Sequence, residues 1–259
     1  MSSLLFSRRR ILVGSALGLG AIGLSGCDAM VENQSVNNVL AMAEKLTMGS
    51  QRLLVPRDKL AREFTEADIS PTFRSNGTSQ PDSDAYAKLM ETGFADWRLK
   101  IDGLVERPMA FSLADLKKLP SRKQITRHDC VEGWSAIGKW TGVPLGLLLK
   151  TAGVKPNARF AVFYCADDLE QSLDGSGRYY ESIDLIDAFH PQTILAYGMN
   201  GKDLEVAHGA PLRLRVERHL GYKQAKYLMR IELRDRFTDL GSGKGGFWED
   251  RGYEWYAGI

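Results

Sequence analysis

The chain has 259 residues, 44% of them hydrophobic, 9% aromatic and 25% charged, with a formal net charge of +2. That is enough apolar material for one sizeable core, and the absence of low-complexity tracts excludes a disordered or fibrous chain. The positive excess comes from Arg8, Arg9 and Arg10: residues 1–26 hold no acid and the remainder is one unit negative, which excludes a global electrostatic case for nucleic-acid binding.

Residues 1–26 read as an address, three arginines followed by the Gly-rich apolar run 13–24, which is shorter than the roughly 20 residues a membrane-spanning helix needs. The arginines before Ile11-Leu12 look like a twin-arginine signal, a route that resemblance associates with proteins folded around a cofactor before export. Leu24-Ser25-Gly26-Cys27 is similar to a bacterial lipoprotein box, with Cys27 as the lipidated first residue and Asp28 resembling an inner-membrane retention signal. A small-residue cleavage site that contains a cysteine is the other reading.

Residues 27–95 form an N-terminal helix and an irregular arm. Val36, Val39, Leu40, Met42, Ala43 and Leu46 recur at helical spacing behind Asn33 and Ser35, which predicts an amphipathic helix over 31–54 that links an anchor to the domain or packs on its outside. The stretch 57–81, with Pro71, Asn76-Gly77 and Pro81, is turn-rich, and ordered loops of that length are usually functional.

The domain proper spans 96–259. Trp97, Leu99 and Ile101 alternate with polar residues and end at Gly103, a half-buried strand. Ser112 caps a helix through Lys118 that Pro120 stops. Residues 123–130 form the next strand, and Thr141 is expected to cap a helix starting Gly142-Val143-Pro144 and ending at Gly153. Residues 158–166 read as a central strand, and 167–178 as a substrate lid or a plain connection. Residues 179–189 pass from strand to helix, His190 serves a turn, and Asn200-Gly201 marks a hairpin between 194–197 and 204–206. Near the end, residues 241–246 satisfy Gly-x-Gly-x-x-Gly, but too little chain follows for a strand-helix-strand unit, so this is a turn. Phe247, Trp248, Trp255 and Tyr256 then either close over a site edge or pack.

Two stretches carry chemistry. The first is residues 127–135, Arg127-His128-Asp129-Cys130-Val131-Glu132-Gly133-Trp134-Ser135, a thiol where a strand opens into a glycine turn. A thiolate is a soft ligand for a metal, and Arg127 and His128 are expected to favour ionisation; the alternative is an inert buried cysteine. The second is residues 208–213, His208 to Arg213, followed by 221–226, Gly221 to Lys226, where two cations flank a strand and a glycine turn and can converge on one phosphate. Cys130 and Cys165 could instead form a disulfide in an oxidising compartment.

Taken together in this order, over roughly residues 96–236, these elements resemble the sulfite-oxidase-like molybdopterin oxidoreductases, in particular the branch containing the periplasmic subunit that reduces protein methionine sulfoxide. The resemblance implies an α+β fold, a molybdopterin-binding domain of mixed sheets and flanking helices. It implies a molybdenum-molybdopterin cofactor in its monophosphate form, with Cys130 as the metal ligand. Cofactor contacts would come from Arg127, Cys165 in a place often held by Thr, His208, Arg213 and Lys226, with Gln224 and Ala225 binding through their backbones. From the arm, Phe73, Arg74 and Asn76 would reach the pterin, although the family's Tyr-Glu pair is Phe73-Arg74 here and its upstream Asn is Ser70. Glu132 would handle a proton or order water, or else bond the turn.

By the same resemblance the reaction is reduction of a small or protein-bound S- or N-oxide, with electrons from a membrane haem or quinone-linked partner. The setting would be the periplasm and the subunit a lipid-anchored monomer. No haem-attachment motif, iron-sulfur array or HExxH zinc site is present in the sequence. Sulfite oxidation is the alternative chemistry; it needs a cationic pocket, for which Arg127, Arg178, Arg215 and Arg218 are available. The alternative of another class is a non-catalytic envelope lipoprotein using the same fold for binding.

Overall fold

A computed structural model describes residues 34–170 and 177–259, in two compact units that divide between Leu53 and Leu54. The signal-like segment and Cys27 lie outside the described residues. In the first unit, α1 (Gln34–Leu54) realises the apolar periodicity of the sequence, with Arg52 in its last turn, where a cation complements the negative end of the helix dipole. No helix among the described residues is long and apolar enough to cross a membrane.

The second unit, Leu54–Ile259, begins with the arm and α2 (Asp84–Glu91), whose N-cap Ser83 accepts from the Tyr86 amide. There follow β1 (Leu99–Gly103), β2 (Met109–Phe111) and α3 (Leu113–Lys118), the last held by a capping box between Ser112 and Asp115. Next come β3 (Arg122–Asp129), β4 (Ser135–Pro144), α4 (Leu145–Ala152) and β5 (Phe160–Asp168). The remaining elements are β6 (Arg178–Asp184), α5 (Leu185–Ala188), β7 (Ile194–Met199), β8 (Lys202–Asp203), β9 (Arg213–Arg215) and β10 (Leu228–Arg234).

These strands make two mixed-sequence sheets flanked by short helices, the α+β arrangement that the family resemblance implies. One sheet runs β2-β1-β10-β5-β6, in which β1 and β10, from opposite ends of the domain, pair in parallel while the other pairs are antiparallel. The other runs β3-β4-β7-β8, with β9 also on β7. Trp97, Leu99, Leu148, Phe163, Leu214 and Ile231 belong to the main core.

One expected element is corrected. Thr141 caps no helix: β4 continues through it, pairing it with Lys123 and Gly198, and α4 starts only at Leu145 with Pro144 at its N-cap. The reason is close packing, since a Cβ on Gly142 would lie 2.2 Å from the Leu195 carbonyl oxygen; this glycine lets β7 approach a strand. The Asn200-Gly201 turn forms, with φ of 51° and 81°, but its return strand is only Lys202–Asp203, after which residues 206–208 take a helical turn. The arm is stitched to the second sheet: the Phe64 amide donates to the Ile125 carbonyl (2.8 Å), that of Ser70 to Ile137 (3.0 Å), and that of Ile137 back to the Ser70 hydroxyl (2.9 Å).

Candidate active site

Strand β3 delivers Cys130 into the turn before β4. The Cys130 amide donates to the Trp134 carbonyl (2.9 Å), Gly133 returns a bond to the Cys130 carbonyl (3.0 Å), and Gly133 takes φ 85°, a value that favours glycine. Glu132 accepts the Trp134 indole N–H at 3.0 Å, so its carboxylate braces the turn while also lining the cleft above Cys130.

Strand parity decides which neighbours serve the thiol. His128 is buried, as is Cys130, whereas Arg127 is exposed and bonds Asp129 at 2.9 Å. His128 is held below the usual imidazole range by burial and by the Arg215 and Arg213 guanidiniums, and Arg215 donates to its Nδ1 at 3.0 Å. The expected help toward ionisation is therefore not present; burial pushes the Cys130 thiol up, against backbone hydrogen bonds from Glu132 and Val131 that favour the thiolate.

Phe73 joins the arm to this turn. Its ring centroid lies 5.6 Å from His128, 6.2 Å from Trp134, 5.4 Å from Trp140 and 5.7 Å from His208. Replacing a half-buried ring that makes four aromatic contacts should cost about 2 kcal/mol, so Phe73→Ala is expected to lower the urea midpoint measurably. An unchanged midpoint would show that the arm is not fastened here. Arg74 is exposed and does not line the cleft, whereas Asn76 does.

The second chemical stretch is buried. Arg213 has no exposed surface; it donates to the His208 carbonyl (2.9 Å) and the Gln224 carbonyl (3.3 Å), and its guanidinium lies 5.1 Å from the Trp140 ring centre. Lys226 donates to the carbonyls of Asn76 (2.7 Å), Ala207 (3.2 Å) and Thr78. Burial lowers Arg213 to about 9, with Arg215 contributing, and lowers Lys226 to about 7, with Arg213 contributing. Gln224 and Ala225 are buried beside them, and the Ala225 carbonyl accepts from the Leu214 amide at 2.8 Å.

One cleft brings together Cys130, Glu132, Asn76, Gln224 and Lys226. Asp167, Tyr179, Tyr222 and Tyr253 line it too, without having been singled out as site residues from the sequence. Asp167 is 3% exposed, burial raises it to about 6, and its Oδ1 has no partner. The readable signal was its position two residues after Cys165 on a strand. Cys165 itself lies in the core and borders a different cavity, and both thiols are free, which removes the disulfide alternative from this structure. The four arginines considered for a dianion pocket do not converge on the cleft. Arg215 is buried against Glu217 at 2.6 Å, Arg218 donates to the Arg57 carbonyl at 2.8 Å, and Arg127 and Arg178 are exposed outside it.

The sequence profile of the oxidoreductase molybdopterin binding domain matches residues 86–239. The chain belongs to this family. A relative from Azospira oryzae, provisionally named protein-methionine-sulfoxide reductase subunit YedZ1, is 36% identical over 96% of this chain and 87% of its own. The protein-methionine-sulfoxide reductase catalytic subunit MsrP of Xanthomonas axonopodis pv. citri is 32% identical over 90% of this chain and 71% of its own. The sulfane dehydrogenase SoxCD of Paracoccus pantotrophus superposes with a TM-score of 0.49 at 28% identity, over 55% of this chain and 39% of that one.

The residues present fit a molybdopterin. Cys130 offers a soft donor at the cleft, suited to a soft or high-valent metal. Arg213 and Lys226 are buried with no ion pair to a described carboxylate, and Arg213 Nε and His208 Nδ1 lack partners. Buried cations and orphaned polar atoms are costly unless a ligand satisfies them, and an anionic, hydrogen-bonding cofactor does so. The protein is a molybdopterin-dependent oxidoreductase.

Proposed function

We propose that this molybdopterin oxidoreductase reduces a sulfoxide-type S- or N-oxide in the cell envelope, taking electrons from a membrane haem or quinone-linked partner. The observation that carries the reading is the cleft itself: the Cys130 thiol and the buried Lys226 share it with aromatic and acidic side chains rather than with an arginine cluster suited to sulfite. Relatives named as protein-methionine-sulfoxide reductases support the same direction.

In this reading Cys130 holds the metal, and Arg213, Lys226 and His208 with the Gln224-Ala225 backbone hold a monophosphate pterin. Phe73 shapes its pocket, Asn76 contacts it, and Glu132 orders water beside the turn. The cofactor supplies the two-electron oxo-transfer chemistry, while the chain orients it and limits access. Overall, an oxide, two electrons and two protons become the reduced compound and water. Arg8 to Arg10 and Cys27 support twin-arginine export and a lipid anchor, which would keep a monomeric subunit near its electron donor.

The test is metal and pterin analysis of natively exported protein, with mass spectrometry of its N-terminus and a screen of oxides against sulfite. About one molybdenum per chain, a pterin without nucleotide and reduction of an S-oxide are expected. A chain with neither metal nor pterin, or one that oxidises sulfite and reduces no oxide, would overturn the proposal.

A further inference from the structure

The cleft has a wall built by the C-terminal segment. Trp248 and Tyr253 stack with ring centroids 5.4 Å apart at 26°, and Tyr253 meets the Tyr222 ring edge-on at 5.1 Å. Gly252, at φ 101°, reverses the chain between them, so that the Tyr253 amide donates to the Trp248 carbonyl at 3.0 Å. The wall is fastened from behind: Glu249 is buried and receives Lys223, and Arg251 pairs with Glu170.

The hydroxyls of two neighbouring rings are already engaged, Tyr222 donating to the Glu254 carbonyl at 2.6 Å and Tyr179 to the Tyr222 carbonyl. What these rings offer the cleft is therefore apolar surface. Opposite charge for an anionic substrate is scarce, because Glu132 and Asp167 line the same space and Lys226 is assigned to the cofactor. Val131 at 46% exposure and Tyr253 at 37% leave the mouth apolar and open.

We propose that Trp248 and Tyr253 are specificity-determining residues, forming the wall against which the apolar arm of a neutral thioether S-oxide packs. The inference rests on the oxide-reducing reading and adds the selecting surface. Sulfur and apolar groups gain from aromatic edges and faces, whereas a small oxide with no arm gains little from that wall.

The experiment compares wild type, Tyr253→Ala, Tyr253→Phe and Trp248→Leu holoenzyme on methyl phenyl sulfoxide and on trimethylamine N-oxide. Tyr253→Ala and Trp248→Leu are expected to raise KM for the sulfoxide about five- to tenfold with kcat kept, and to leave the N-oxide within about twofold. Tyr253→Phe, which keeps the ring, should behave as wild type. Binding is read separately by titrating methyl phenyl sulfone, which has the arm but is not the oxide substrate, against tryptophan fluorescence; the midpoint should weaken in Tyr253→Ala. Equal losses on both oxides, or a sulfone midpoint unmoved by Tyr253→Ala, would overturn the proposal. A wild type that reduces neither oxide but still binds the sulfone would sink the enzymatic reading and leave the apolar wall standing.

Discussion

Cys130→Ser is expected to lower oxide-reducing activity by more than about 100-fold, the range already reached when only the supporting partners of a metal ligand are changed. The substitution is nearly isosteric and sits in a turn fixed by backbone bonds from Cys130 to Trp134 and from Gly133 to Cys130, so folding should be untouched. What changes is the donor: a hydroxyl is a harder and far weaker acid than a thiol. The chain should still retain pterin, because the buried pair Arg213 and Lys226 does not depend on residue 130. X-ray absorption at the metal should then lose one sulfur neighbour. Full activity with an unchanged spectrum would remove Cys130 as ligand.

The parts of the site that could be read from the sequence are contiguous motifs, in which the chain itself places the residues side by side. The turn at Cys130 and the stretch ending at Lys226 are of this kind. Strand parity separates the two basic residues expected beside Cys130: alternation puts His128 on its face and Arg127 on the other. Strand β4 was harder to see, because Gly138 and Gly142 weaken its pattern. Both glycines serve close approach: a Cβ on Gly138 would come 3.2 Å from the Phe73 ring, and one on Gly142 would strike β7. Asp167, Tyr179, Tyr222 and Tyr253 reach the cleft from three distant segments, and no local pattern brings them together. The sequence shows Trp248 as one aromatic in a tail; only the buried network behind that tail gives it a fixed place.

That network yields the second large effect, in Lys223→Met. Lys223 donates to both Glu181 and Glu249, and all three side chains are at most 1% exposed. Burial and the neighbouring Glu249 raise Glu181 well above the ordinary carboxylate range, while the two carboxylates raise Lys223 against its own desolvation. Removing the cation leaves two buried carboxylates without compensation, which should cost about 3–5 kcal/mol at neutral pH. The sign of the pH dependence follows from Glu181. Its folded pKa lies above its unfolded value of 4.5, so its favourable contribution is complete below that value and is lost as pH rises through the folded pKa. Wild-type stability should therefore fall as pH rises above 4.5, and the gap in melting temperature to Lys223→Met should widen at alkaline pH, where the variant's carboxyls ionise with no cation beside them. Adding Glu181→Gln to the variant removes a group that ionises unpaired as pH rises and should recover part of the loss at alkaline pH. A cost below about 1 kcal/mol with no pH trend would mean that water reaches the triad. Because Glu249 follows Trp248 directly, the same variant should also loosen the aromatic wall, weakening sulfone binding before the domain melts.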